Sequence, residues 1–238
     1  MAEELGKIEK PPVSDFKKSR KLYFVPLILT IRGADAELNE RINKYWEQVD
    51  SHLSNLEAKL GRGTLIFHEL ISVSGDEGLK MLEMVCEQSH RITKNRVEKG
   101  AHLQAIEDGE SLMEYMDWSR CLAIGMQSQK AFNEVYERYT AAQKARNDII
   151  ARKIDEALLT DEIGILMLQE GHKVQFPEDI QLFYISPPEL DELKRWLRER
   201  EAALEKQEEQ APQEKPVQDE ETEPKESTEI DEKPEFDK

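Results

Sequence analysis

Cysteine is scarce in this chain. Cys86 and Cys121 are the only two, too few for a disulfide framework, and their spacing matches no zinc motif. A reducing compartment, the cytoplasm, is the expected setting. Long apolar runs are lacking as well. The longest, LYFVPLILTI, spans residues 22–31 with Pro26 and Thr30 inside it. A membrane-spanning helix needs about 20 apolar residues. The opening MAEELGKIEKPP has no apolar core of the kind a signal peptide carries. No membrane insertion is expected.

Positive charge is also in short supply. Lys plus Arg is 33 against 50 for Asp plus Glu, a net charge of −17. From Glu201 onward there are 15 acidic and 5 basic residues, so most of the excess sits at one end. Neither part has the positive field that a phosphate backbone requires, and no nucleic-acid partner is expected. Several catalytic signatures are missing too. The sequence contains no G-x-x-x-x-G-K-[ST], no G-x-G-x-x-G, no H-E-x-x-H and no G-x-S-x-G.

What is present sorts into three parts. Residues 1–20 are polar, with Pro11-Pro12 and a Lys17-Lys18-Ser19-Arg20 cluster, and read as a flexible arm. Residues 205–238 hold almost no apolar side chains and cannot offset chain entropy by burial, so a disordered acidic tail is expected. Such a tail solubilises or spaces, or it recruits a protein partner. Residues 21–204 lie between and read as a single α/β domain.

Within that domain strands and helices alternate. LYFVPLILTI reads as a buried strand, and Pro26 pushes it toward an edge or a bulge. A helix follows Asp35, a plausible N-cap, with Leu38, Ile42, Tyr45, Trp46, Val49, Leu53, Leu56 and Leu60 at helical spacing and Gly61 at its end. GTLIFHELISV is a second strand. Helical segments are expected at 77–87 and 89–99, the latter capped by Ser89, and a short extended link at 103–106. Residues 111–122 read as a helix with Leu112, Met113, Met116 and Leu122 inward. A longer helix runs from Ser128 to about Leu159, with Phe132, Tyr136, Tyr139, Ile150, Ile154 and Leu158 as its apolar stripe. Strands at 163–168 and 180–185 come next, joined by a hairpin-like return or a minimal crossover. Pro187-Pro188 opens a last helix carrying Leu190, Leu193 and Leu197. This order predicts a mainly parallel sheet flanked by helices, with a helical insert.

Ligands of open parallel sheets bind beyond the carboxyl ends of the strands. That rule marks His68-Glu69 and Glu170-Gly171-His172. Imidazoles and carboxylates ligate a divalent metal such as zinc or manganese, and they serve equally as an acid–base pair. His68 and His172 are the candidate metal ligands. Each also has a plain reading: His68 as a hydrogen-bonded core residue, His172 as part of an exposed turn. Gly171 is expected at positive φ, turning the chain sharply and setting His172 on the rim of a cleft. On the long helix, Arg146 and Asn147 fall near the apolar stripe and need partners. Backbone carbonyls or acids such as Asp148 and Asp155 are one answer, and an anionic ligand is the other.

The segment ARNDIIARKIDEALLTDEIGILMLQEGH, residues 145–172, resembles the C-terminal signature of the TraB-like superfamily, which includes relatives of ChaN and the erythromycin esterases. The resemblance rests on Arg146, Asn147, Gly171 and His172. It implies an Arg-Asn helix, a hydrophobic strand and a histidine at the strand's end, with metal-dependent hydrolase chemistry in some members. The histidine that the family places after its first strand has no counterpart in LYFVPLILTIRGADAE, and His68 stands one strand later.

Two functions follow from different features. The acidic tail and the missing catalytic motifs point to a binding or regulatory, adaptor-like protein. The resemblance points to a hydrolase whose site is Glu170, His172 and Arg146 as catalytic groups, Asn147 and Gly171 as ligand-binding groups, and a metal at His68 and His172.

Overall fold

The computed structural model describes residues 19–29 and 33–210. Five strands form one sheet in the order β3-β2-β4-β1-β5. They are β1 (Arg20–Pro26), β2 (Leu65–His68), β3 (His102–Gln104), β4 (Ile163–Leu168) and β5 (Ile180–Tyr184). Every pairing is parallel. The helices are α1 (Ala36–Leu60), α2 (Gly75–Val85), α3 (Glu87–Val97), α4 (Gly109–Ala123), α5 (Gln129–Ala157) and α6 (Pro188–Gln210). The expected parallel α/β class is the observed one. The first 18 residues and the tail beyond residue 210 lie outside the described residues. Two boundaries move. Arg20, placed with the arm, is the first residue of β1, and α6 carries helix six residues past 204. Residues up to Leu197 group as one compact unit, and a second unit begins at Arg198.

Pro26 occupies a central strand, not an edge. The reason lies in the ladder. Leu27 N–H donates to Leu168 O on β4, so the vacant donor position of Pro26 faces β5. The last bond to β5 is Ile185 N–H to Phe24 O, and the ladder stops there because Pro26 has no N–H to carry it further. Gly164 sits where β4 runs between β1 and β2. A Cβ there would come within 2.8 Å of Leu22 and of Phe67.

Strand alternation divides the core. Tyr23, Val25, Ile66 and Ile165 face α1, α2, α3 and α6. Leu22, Phe24, Phe67 and Leu166 face the second half of α5 and the link at 169–179, whose Val174 and Phe176 pack there. That link is the crossover between β4 and β5, and it contains no helix. Asp35 caps α1 by accepting from Leu38 N–H at 2.9 Å, and Gly61 ends the helix at φ 118°.

Three side-chain expectations are corrected. Met113 and Met116 are 63% and 37% exposed, not inward. Phe132 and Tyr136 are 39% and 51% exposed. Both corrections have one cause: α4 packs on α5, and the first half of α5 runs beyond the sheet, so only its second half meets a core. Ser89 is no cap. It lies inside α3 and is fully buried.

Candidate functional site

The carboxyl edge of the sheet concentrates the buried charge. β2 ends in His68, and alternation sends the next side chain, Glu69, to the α5 face. Glu107 follows β3. Arg146 lies one turn before Ile150, which is buried on α5. The guanidinium spans the two carboxylates. Nε donates to Glu107 Oε2 at 3.0 Å and Nη2 to Glu69 Oε1 at 2.9 Å, and Nη2 also reaches Glu107 Oε1. The remaining oxygen of Glu69 accepts from Gln169 N–H at 2.8 Å, and Glu107 Oε1 accepts from Leu70 N–H at 3.2 Å. Arg146, Glu69 and Glu107 are 5%, 4% and 1% exposed. The Tyr115 ring lies 4.8 Å from Arg146 Cζ, within cation–π range. Lys153 Nζ donates to the Glu107 carbonyl at 2.5 Å, setting a second cation beside a cluster that holds two acids and one guanidinium.

Burial opposes charge on Arg146. The hydrogen bonds and Coulomb attraction of Glu107 and Glu69 outweigh it and hold its pKa above the ordinary arginine value. Burial first, and then Tyr139, pushes the Tyr115 hydroxyl up to about 12. Every oxygen of both carboxylates accepts at least one hydrogen bond. This arrangement ties β2, β3, β4 and α5 together.

The groups marked in the sequence fall into separate sets of partners. Arg146 has Glu69 and Glu107, not Asp148 or Asp155. Asn147 is buried beside it on α5. Glu170 forms an ion pair with Lys194 and accepts from the Tyr184 hydroxyl, and these two partners, Lys194 first, hold its carboxyl below the usual range. His172 is half-buried, with its ring 5.2 Å from Phe24 and 5.9 Å from Phe176. Its Nδ1 accepts from Val174 N–H at 3.2 Å, which leaves Nε2 as the protonated nitrogen of the neutral ring, and burial lowers its pKa. Gly171 is in a turn, yet its φ is not positive, and an added Cβ would meet nothing within 4 Å. The positive φ at the end of a strand belongs instead to Leu70, at 69°.

His68 is fully buried on the α3 side of the sheet. Its Nδ1 bonds the Glu69 carbonyl and its Nε2 lies 3.0 Å from Ser89 Oγ. Burial lowers its pKa to about 4, so the ring is neutral. A carbonyl only accepts, hence Nδ1 carries the proton and Ser89 donates to Nε2. Both nitrogens are engaged. His172 packs on Phe24, on the opposite face. The two imidazoles do not form a shared ligand set, and no cluster of three or more His, Cys, Asp or Glu suited to a metal occurs among the described residues.

Cavities sit elsewhere, along α1. One, of about 410 Å³, lies between α1 and β5 and is lined by His52, Asn55, Leu56, Lys59 and Phe183 among others. Another, of about 360 Å³, lies between α1 and α3 beside Glu57, Arg62 and Arg96. Arg146, His68 and His172 line neither of them.

Glu69 stands beside His68 at a strand end marked in the sequence, whereas Glu107, Tyr115 and Lys153 lie outside the marked residues. Glu107 carried one signal, an acid directly after the apolar Leu103 and Ile106. Set against models of protein families, curated proteins and solved structures, the chain matches none of them.

Proposed function

We propose that this protein acts by binding another protein, in an adaptor-like or regulatory role, and that the α4–α5 hairpin is its contact surface. The observation that carries the reading is the pair Phe132 and Tyr136, stacked with centroids 5.9 Å apart and both exposed to solvent. Met113 and Ile124, 63% and 82% exposed, add apolar surface on the same hairpin. Clustered exposed aromatics and methionines are the composition of a contact surface, because they bury large area with few fixed polar demands. The root of the hairpin is anchored, since Arg146 of α5 is tied to Glu69 and Glu107, while farther out α4 and α5 pack on each other. The saturated carboxylates support binding over hydrolysis. A role of the acidic tail in recruiting a partner belongs to the same reading and concerns residues outside those described.

The test is affinity capture with the full chain against Phe132→Ser/Tyr136→Ser. Proteins held by the wild type and released by the double variant, at an unchanged thermal midpoint, are expected. An identical captured set would reject the hairpin as the contact surface.

A further inference from the structure

β5 ends the sheet on its side. Ile185 N–H donates to Phe24 O at 2.8 Å, and this bond sets the phase of the ladder. Alternate residues of a strand bond the same neighbour, so residues 181, 183 and 185 turn their backbone groups toward β1. The N–H and C=O of Leu182 and of Tyr184 turn away from it. Among the described residues no backbone bond reaches these four groups.

Exposed strand edges invite pairing, and proteins blunt them with lysine, proline, bulges or brevity. The other edge, β3, is three residues long and begins with an exposed histidine, His102. β5 reads IQLFY, with no charge, no proline and no glycine. Its Leu182 and Tyr184 are 46% and 44% exposed on the α5 face. On the other face Phe183 lines the cavity of about 410 Å³ beside Leu56 and Ile185.

We propose that β5 pairs antiparallel with β5 of a second copy of this chain, about a two-fold axis that sets Phe183 opposite its own equivalent. The outward groups are symmetric about Phe183, so the reversed strand is their complement. Leu182 meets Tyr184 of the second copy and Tyr184 meets Leu182, each pair exchanging both hydrogen bonds. The same pairs cover the two exposed side chains. The two Phe183 rings share one face, next to the adjoining cavities. Each copy carries a net charge of −17, and the uncharged strand lets them meet without like charges opposed along it. A five-residue strand is about 17 Å long, and an interface of that extent falls in the class below about 1,200 Å², which forms reversibly. This inference is independent of the hairpin's role.

Sedimentation of the full chain across the micromolar to submillimolar range tests it. The mass should rise from that of one chain to that of two. Leu182→Pro removes an outward N–H while leaving the β1 ladder intact, and it should weaken association about ten-fold or more. Leu182→Lys should do the same with the backbone unchanged, and circular dichroism reports whether each variant is folded. Phe183→Cys, in a Cys121→Ser background, should give an oxidised dimer, since opposed residues of a non-hydrogen-bonded pair lie within disulfide reach. Leu182→Cys should not. A chain that stays monomeric throughout overturns the proposal. So does a dimer that neither Leu182 variant weakens. Cross-linking at Leu182→Cys but not at Phe183→Cys overturns the register.

Discussion

Arg146 Nη2 lies 2.9 Å from Glu69 Oε1, across 77 residues of sequence, and both side chains are almost wholly out of water. Neither charge is tolerable there alone, so the pair, with Glu107, makes the position of α5 depend on the ends of β2 and β3. Removing the cation should therefore be costly. Arg146→Ala is expected to lower stability by about 3–5 kcal/mol, because two buried carboxylates lose their common partner. Urea unfolding measures this, and a loss below about 1 kcal/mol would mean that water already reaches the cluster.

His68 makes stability depend on pH. Its folded pKa is about 4, below the ordinary 6.5, and burial is the cause. Between those values the unfolded chain binds more protons than the folded one. Stability is therefore fully present above about pH 6.5 and falls as pH drops toward 4, by about 3 kcal/mol for a shift of this size. His68→Gln removes the titrating group, and its stability should vary less with pH across that window. Paired denaturation curves at several pH values isolate the histidine from the carboxylates, which titrate in both proteins. Parallel curves would show that folding leaves the His68 pKa unshifted.

Two glycines should respond in opposite ways. Gly171 has ordinary φ and open space around it, so Gly171→Ala should change stability by no more than about 1 kcal/mol, with stabilisation the expected sign. A Cβ on Gly164 would press on Leu22 and Phe67 in the middle of the sheet, and Gly164→Ala should cost about 1–3 kcal/mol. Thermal midpoints of the two variants decide this directly. A larger loss at Gly171 than at Gly164 would contradict this backbone geometry.

Met113 should behave as a surface residue. It is 63% exposed, and Met113→Gln should change stability by less than about 0.5 kcal/mol. Leu112, its buried neighbour, should lose about 2–5 kcal/mol on Leu112→Ala if the hairpin packs as a unit. Equal losses at both positions would place Met113 in a core.

The alternation of strand and helix was legible because it is written locally. The period of Leu38, Ile42, Trp46, Val49 and Leu53 is helical whatever lies opposite, and Asp35 and Gly61 mark the ends of that helix by their own chemistry. The continuous apolar run of β1 told of burial on both faces. The reach of the sheet was not written there. α5 has one unbroken apolar stripe, yet Phe132 and Tyr136 stand in water and Ile150 and Ile154 in the core. Periodicity states which face of a helix is apolar, and only the extent of its partner states how much of that face is covered.

The candidate site divides in the same way. Sequence alone established that Arg146, if buried, needed partners, and that His68 sat near the end of a strand. Which acids answered was decided by strand order. β2 and β3 are neighbours at one side of the sheet, so the residues following them, Glu69 and Glu107, meet at one point beneath α5. The fate of the two histidines was decided by parity. His68 is one residue before Glu69 and so lies on the opposite face, bonded to Ser89, while His172 packs on Phe24. Spacing along the chain carries the identity of charged and titratable groups. Their partners depend on which strands become neighbours and which face each side chain takes, and those are properties of the folded sheet.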